Sequence, residues 1–279
     1  MKSRARVFFR VRTTILASLL LLPFLPTSAE AQSTRPKSTR PAIGEDYHFE
    51  TTFAWWNPGL VGSVTSDRLD LIGSRVDLVD DLGFDEKLRF KNLRFVLRPG
   101  RKHKVRFQYT PLTYEASGVL ARQVTFAGNV FDAALPVDSK LSWKVWRLGY
   151  EWDFLYKSRG FMGVVLEARK TELTAEVASL GLSGSVAAEA PLPAIGFVTR
   201  VYPLPDVAVN FELTGMKMPE FKGKYEGTYI DLDLSTTVNI TNNLGASFGW
   251  RKLDTNIRIS QDFGDLKFSG FWFGGAIRY

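Results

Sequence analysis

The sequence contains no cysteine. That excludes disulfides and thiolate metal sites. It contains only two histidines, His48 and His103. Nucleophilic and acid–base hydrolysis usually needs a histidine beside a serine or a carboxylate. Gly-x-Ser-x-Gly, a phosphate loop and zinc-ligand spacing are all missing. Past the N-terminal region, no run is long and apolar enough for a transmembrane helix. A cofactor is therefore not expected, and neither is an enzyme.

The N-terminus accounts for the apparent basicity. Lys2, Arg4, Arg6, Arg10 and Arg12 precede an apolar stretch from Thr13 to Leu25, and Ala29-Glu30-Ala31 is a small-residue cleavage site. Residues 1–31 read as a secretory signal peptide. Residues 32–44 repeat Ser-Thr-Arg-Pro, a composition that builds no core and reads as a disordered linker. The signal carries a net +4 and the linker +3, which is the whole of the +7 over 279 residues. Residues 45–279 are formally neutral, and nucleic-acid binding loses its electrostatic support.

Residues 45–279 alternate. From Trp146 to Phe154, Trp146, Leu148, Tyr150, Trp152 and Phe154 share one face, while Arg147, Gly149, Glu151 and Asp153 share the other. A period of two marks a strand. Tyr156-Lys-Ser-Arg-Gly160 turns the chain. Met162, Val164, Leu166 and Ala168 then oppose Gly163, Val165, Glu167 and Arg169.

The same pattern predicts ten strands. Short turns fall at 98–102, 156–160, 203–206 and 241–244. Longer links fall at 57–87, 116–138, 178–184 and 215–224, and a small hairpin is expected around Ala127-Gly-Asn129. Strand nine is expected over Leu244–Arg251, and strand ten from Gly270. Short and long links alternate as in an all-β transmembrane antiparallel up-and-down β-barrel, with both termini on the short-turn side. Ten strands fit best, and eight or twelve are the alternatives.

Alternation alone does not say which face is inside. Charges of both signs on the polar face favour an enclosed wet lumen. They are Arg94, Arg106, Arg147, Glu151, Asp153, Glu167, Arg169, Arg200, Glu212, Asp231, Asp233, Arg251 and Arg278. Trp55, Trp56, Trp152, Phe154, Tyr156, Tyr202 and Tyr279 sit near strand ends, as interfacial girdles do. The chain ends on the aromatic Tyr279. On these residues the domain resembles the small bacterial outer-membrane barrels of the OmpA, OmpX and OmpW type. That resemblance implies an outer-membrane location with periplasmic termini. It also implies lipid and lipopolysaccharide as surroundings and the barrel-assembly machinery as a partner. It implies no active site.

A structural or narrow-channel barrel with a charged lumen is the expected function. A carrier of small hydrophobic compounds, OmpW-like, is the first alternative. A lipid-modifying or proteolytic barrel is the second, but both histidines fall at the expected periplasmic end. In the first long link, Val76–Phe84 mixes apolar and acidic residues. Leu78, Leu82 and Phe84 could anchor a short plug. Asp77, Asp80, Asp81 and Asp85 are weak candidates for calcium, without EF-hand spacing. Lys217, Lys222 and Lys224 near another outer link could meet lipopolysaccharide phosphates.

Overall fold

The structure is a computed structural model and describes residues 42–65, 76–82, 89–221, 225–259 and 262–279. The signal peptide, most of the 32–44 segment, Phe84, Asp85, Lys222 and Lys224 lie outside the described residues.

Ten long strands form the wall: β1 (Phe49–Thr65), β3 (Phe90–Gly100), β4 (His103–Val119), β7 (Pro136–Lys157), β8 (Gly160–Ser179), β9 (Leu182–Leu204), β10 (Val207–Phe221), β11 (Tyr225–Asn239), β12 (Leu244–Ile259) and β13 (Asp262–Arg278). Each pairs antiparallel with its neighbours, and β13 pairs with β1 from Glu50↔Arg278 to Thr65↔Phe263. The sheet is therefore closed and has no free lateral edge along that seam. Two-residue β2 (Val76–Asp77) pairs with β1. β5 (Val124–Phe126) and β6 (Asn129–Phe131) form the expected small hairpin. Its turn residues Ala127 and Gly128 both have positive φ, as a two-residue hairpin turn demands.

Four short turns lie at the end that carries both termini: Gly100–His103, Lys157–Gly160, Leu204–Val207 and Asn239–Leu244. The opposite end differs from expectation. The links at 178–184 and 215–224 are mostly strand, because β8 and β9 meet at a tight turn over Leu180 and Gly181. β10 continues to Phe221, β12 to Ile259, and β13 starts at Asp262.

The reason is a switch in polarity along each strand. β7 keeps one inward parity from Val137 to Asp153, where a bulge between Trp152 and Leu155 shifts the register. Its lower inward residues are Arg147, Glu151 and Asp153, and its upper ones are Val137, Leu141, Trp143 and Val145, all buried. Its outward residues change in the opposite sense, from exposed Trp146, Leu148, Tyr150, Trp152 and Phe154 to Asp138, Lys140 and Lys144. A membrane-crossing strand needs only about 9–11 residues. β7 has 22 and β9 has 23, so the wall projects well past the apolar belt. Beyond the belt the barrel is built like a water-soluble one, with polar residues out and apolar residues in.

The projection is uneven. β9 pairs with β10 only up to Ile195↔Gly215, while its pairing with β8 runs to Ser179↔Leu182. Pro193 and Pro191 come next beyond Ile195 and have no N–H to donate. They end the β9–β10 ladder there and leave β9 paired on one side.

Three aromatic assignments change. Trp56 and Tyr202 belong to the interior, at 1% and 3% exposure, rather than to an interfacial girdle, and Tyr156 packs against buried Phe161, Val165 and Val198 with Arg98 5.1 Å from its ring centre. Trp56 has the opposite parity to outward Trp55, and Tyr202 donates to Glu45 inside the terminal end. Tyr47 is also buried.

Closure itself depends on two glycines. A Cβ at Gly270 would collide with the Asn57 carbonyl, and one at Gly274 with the Phe53 carbonyl, both backbone atoms of β1. Gly270→Val is expected to lower the fraction of chain that refolds to a heat-modifiable band on gels, while Gly275→Val, whose Cβ would meet the Gly245 carbonyl only at an ordinary contact distance of 3.8 Å, refolds normally. Equal refolding of the two variants would contradict the close β1–β13 approach.

Candidate functional site

The interior is stacked in levels, from the terminal end upward. At the base, residues 42–47 tuck under the barrel. The Ile43 N–H donates to the Pro205 carbonyl at 2.7 Å. Tyr202 Oη donates to Glu45 Oε2 at 2.7 Å, Arg98 donates to the Glu45 carbonyl, and Arg200 lies 3.4 Å from the Glu45 carboxylate. Arg278 bonds Glu50 and donates to Asn239 Oδ1 at 2.8 Å. The last residues of the expected linker, Ala42 and Gly44, are thus part of this seal.

Above the base, Lys104 lies between Glu151 at 2.6 Å and Asp153 at 2.9 Å, with its ammonium 3.3 Å from the Phe161 ring centre. Arg106 bonds Glu151 at 3.0 Å and also Glu212. Arg94 stands 3.5 Å from Glu212.

The next level centres on Arg147. It reaches Glu167 at 2.7 Å, Glu212 at 2.8 Å and Asp231 at 3.1 Å. Asp231 also accepts two hydrogen bonds from Arg251, at 2.9 and 2.8 Å, and one from the Tyr229 hydroxyl at 2.9 Å. Arg169 pairs with Glu167 at 2.7 Å and bonds Thr214. Burying any one of these charges alone would cost several kcal/mol. Here Glu167, Glu212 and Asp231 each face two or more cations, and the forked guanidiniums satisfy several oxygens at once.

All thirteen charges singled out on the polar face point inward, and Asp233 and Arg200 line a cavity between the base and the ion-pair levels. That cavity measures about 80 Å³, room for a few waters. Lys104, Glu45, Glu50 and Arg98 complete the network and had not been singled out. Lys104 shares the parity of Arg106, so the period of two could have found it. Glu45 precedes the first strand, where no period operates.

The charged levels end at an aromatic floor. Arg169 sits 3.9 Å from the Tyr229 ring centre and Arg251 4.9 Å from that of Trp56. Such cation–π contacts join a charged layer to an apolar one without leaving the cations bare. Above them the interior is apolar and filled. Trp143 stacks on Phe268 at 4.7 Å, and Leu60, Leu112, Tyr114, Leu141, Leu253 and Leu266 pack around them. The β5–β6 hairpin inserts Val124, Phe126 and Phe131, while the turn after β2 inserts Leu78 and Leu82.

The acidic turn serves this plug. Asp77 Oδ1 accepts from the Val79 and Asp80 N–H groups at 2.9 and 3.0 Å. Asp81 accepts from the Asp77 N–H at 2.8 Å and pairs with Arg122 at 2.6 Å. Asp80 is exposed, and Asp85 lies outside the described residues. Among the described residues no group of three or more acids or histidines is placed to hold a metal ion.

Both histidines lie at the terminal end. The His48 N–H donates to the Tyr279 carbonyl, and His103 Nδ1 is 2.6 Å from the Tyr150 hydroxyl on the outer surface. Neither imidazole bonds to the lumen network, although the His48 carbonyl accepts the Arg98 N–H at 2.7 Å.

The sequence matches no family model. It matches no curated protein either. Solved structures do resemble it. The outer membrane protease OmpT of Escherichia coli aligns with a TM-score of 0.55 at 8% identity, covering 86% of this chain and 99% of OmpT. The attachment invasion locus protein Ail of Yersinia pestis gives 0.35 at 12% identity, covering 82% of this chain and 98% of Ail. The Pseudomonas putida toluene transporter TodX gives 0.37 at 6% identity, covering 86% and 92%. The chain thus has the fold of the outer-membrane β-barrels, in a ten-stranded, all-β, antiparallel form. At 8% identity the likeness to OmpT is one of fold, and it brings no residue or activity with it.

Asp231→Ala would leave Arg251 and Arg147 short of a partner. The expected loss is about 3–5 kcal/mol for a dry interior, and less where water enters. Urea unfolding of the refolded barrel, followed by gel mobility, measures it. A midpoint within error of the parent would show that the network contributes nothing to stability.

Proposed function

We propose that this chain is a sealed, non-enzymatic structural barrel of the outer membrane, exported by its N-terminal signal and held with both termini in the periplasm. The single observation that carries this reading is the double obstruction of the lumen. An ion would first have to separate Arg147 from Glu167, Glu212 and Asp231. It would then meet an apolar plug built on Trp143 and Phe268. A hydrophobic constriction excludes ions by excluding water. The exposed apolar belt supports the membrane location, since in water so large a continuous apolar surface would drive aggregation. Outer-membrane lipid, lipopolysaccharide and the barrel-assembly machinery are the partners this location supplies. A narrow channel fits less well, because both levels would have to open. The two histidines sit at the terminal end, away from the projecting end, so a hydrolytic site there would lack a histidine base.

One observation favours a second reading. The upper interior is apolar, as a carrier of small hydrophobic compounds requires, and the β5–β6 hairpin closes it. Transport would need that hairpin to leave.

Two experiments test the first reading. Purified full chain in planar bilayers is expected to give no stepwise current, and reproducible unit conductance would reject the seal. In vesicles, Leu166→Arg is expected to cost about 2–4 kcal/mol of folding free energy, as a lipid-facing charge near mid-depth does. Thr174→Arg, beyond the belt on the same strand, should cost almost nothing. Similar costs at both positions would place the belt elsewhere.

A further inference from the structure

On the outer wall each strand runs through its apolar residues and then meets a first charge toward the projecting end. On β3, β7, β8, β10, β12 and β13 that charge is a lysine: Lys91, Lys144, Lys170, Lys217, Lys252 and Lys267. On β4, β9 and β11 it is a glutamate, and β1 reaches Val61 without one. Following the sheet order around the closed wall, no two neighbouring strands both lack a lysine. The lysines therefore encircle the barrel at the upper boundary of the belt. Acids follow one outward position later: Glu172 beyond Lys170, Asp254 beyond Lys252 and Asp265 beyond Lys267.

All six lysines are exposed. Lys170 spans Glu172 and Glu189 at 2.8 and 2.9 Å, and Lys267 lies 3.8 Å from Asp265. Lys91, Lys144, Lys217 and Lys252 make no ion pair among the described residues. A lysine in this position lays its methylene stem on the apolar belt and lifts its ammonium into the headgroup layer. An ammonium there is a compact donor for phosphate oxygens.

We infer that this lysine girdle is a docking surface for net-anionic headgroups bearing phosphomonoesters in the lipid leaflet around the projecting end. The inference rests on the membrane reading above and adds to it a partner chemistry and the residues that read it. The ring spans the circumference, so the partner is the surrounding leaflet rather than one bound molecule. On β8, β12 and β13 the order is apolar, then cationic, then anionic, which complements hydrocarbon, then phosphate, then water.

The test uses the full chain refolded into phosphatidylcholine vesicles, alone or with added diphosphorylated lipid A or its dephosphorylated form. Unfolding is followed by loss of the heat-modifiable band. Phosphorylated lipid A is expected to slow unfolding at least about tenfold over phosphatidylcholine alone, with the gain shrinking as salt rises. Dephosphorylated lipid A should give little gain. Combined replacement of the four unpaired lysines, Lys91→Gln, Lys144→Gln, Lys217→Gln and Lys252→Gln, should remove most of the effect without preventing insertion. Lys140→Gln, two outward positions beyond Lys144, should leave it intact. Insertion with equal stabilisation of parent and fourfold variant, or equal stabilisation by both lipid A forms, would overturn the inference alone. Failure to insert into any vesicle would overturn the membrane reading beneath it.

Discussion

The pairing of buried charge inside the belt is the constraint on which the rest of the structure depends. A barrel wall that shows apolar residues to lipid must put every alternate residue in the lumen. Here the lumen holds nine cations and eight carboxylates: the thirteen on the polar face together with Lys104, Arg98 and Glu50 of the wall and Glu45 of the segment before β1. Near balance of the two signs lets most of these charges pair, while Asp233, which makes no ion pair among the described residues, lines the cavity. Arg147 is the hub because one guanidinium reaches carboxylates from β8, β10 and β11 at once. Strands that are not neighbours in the wall are thereby tied across the lumen, which resists collapse or ovalisation of the ring.

Two interiors of opposite chemistry are stacked in one wall. Inside the belt the core is ionic and the exterior apolar. Beyond it the core is apolar and the exterior charged. The floor made by Tyr229 and Trp56 lets them meet, since an aromatic face accepts a guanidinium below and packs against leucine above. The apolar upper core gives the projecting end its own hydrophobic stabilisation, independent of lipid. A platform that stands clear of the apolar belt is the consequence, and β7, β8 and β9 carry it furthest.

Much of the lower half was legible in the sequence. Trp146 against Arg147, or Leu166 against Glu167, gives both the strand and its face, because the two solvents differ so sharply. The upper half was harder to read for a physical reason. At Trp143 and Lys144 the parity is unchanged but the polarity reverses, so a pattern that seeks apolar-out residues loses the strand there. The same reversal hid the strand beyond Arg251 and before Gly270. Trp56 and Tyr202 were misplaced because an aromatic side chain suits an interface, a plug or a hydrogen-bonded base equally well, and only parity and register separate these. Leu78, Leu82 and the hairpin around Ala127 were legible because their apolar residues interrupt polar links. Glu45 was not, since its role comes from three residues on two distant strands, Arg98 of β3 and Arg200 and Tyr202 of β9.

The central claim is the direction in which β8 faces within the belt, and the cysteine-free chain lends itself to measuring it. Single cysteines introduced one at a time from Met162 to Ala168 would carry a nitroxide, in protein refolded into vesicles, and collision with oxygen dissolved in the hydrocarbon would be recorded. Accessibility is predicted to alternate with a period of two, with maxima at Met162, Val164, Leu166 and Ala168. Maxima at Gly163, Val165 and Glu167 instead, or no alternation, would contradict the inverted wall and the ion-paired lumen built on it.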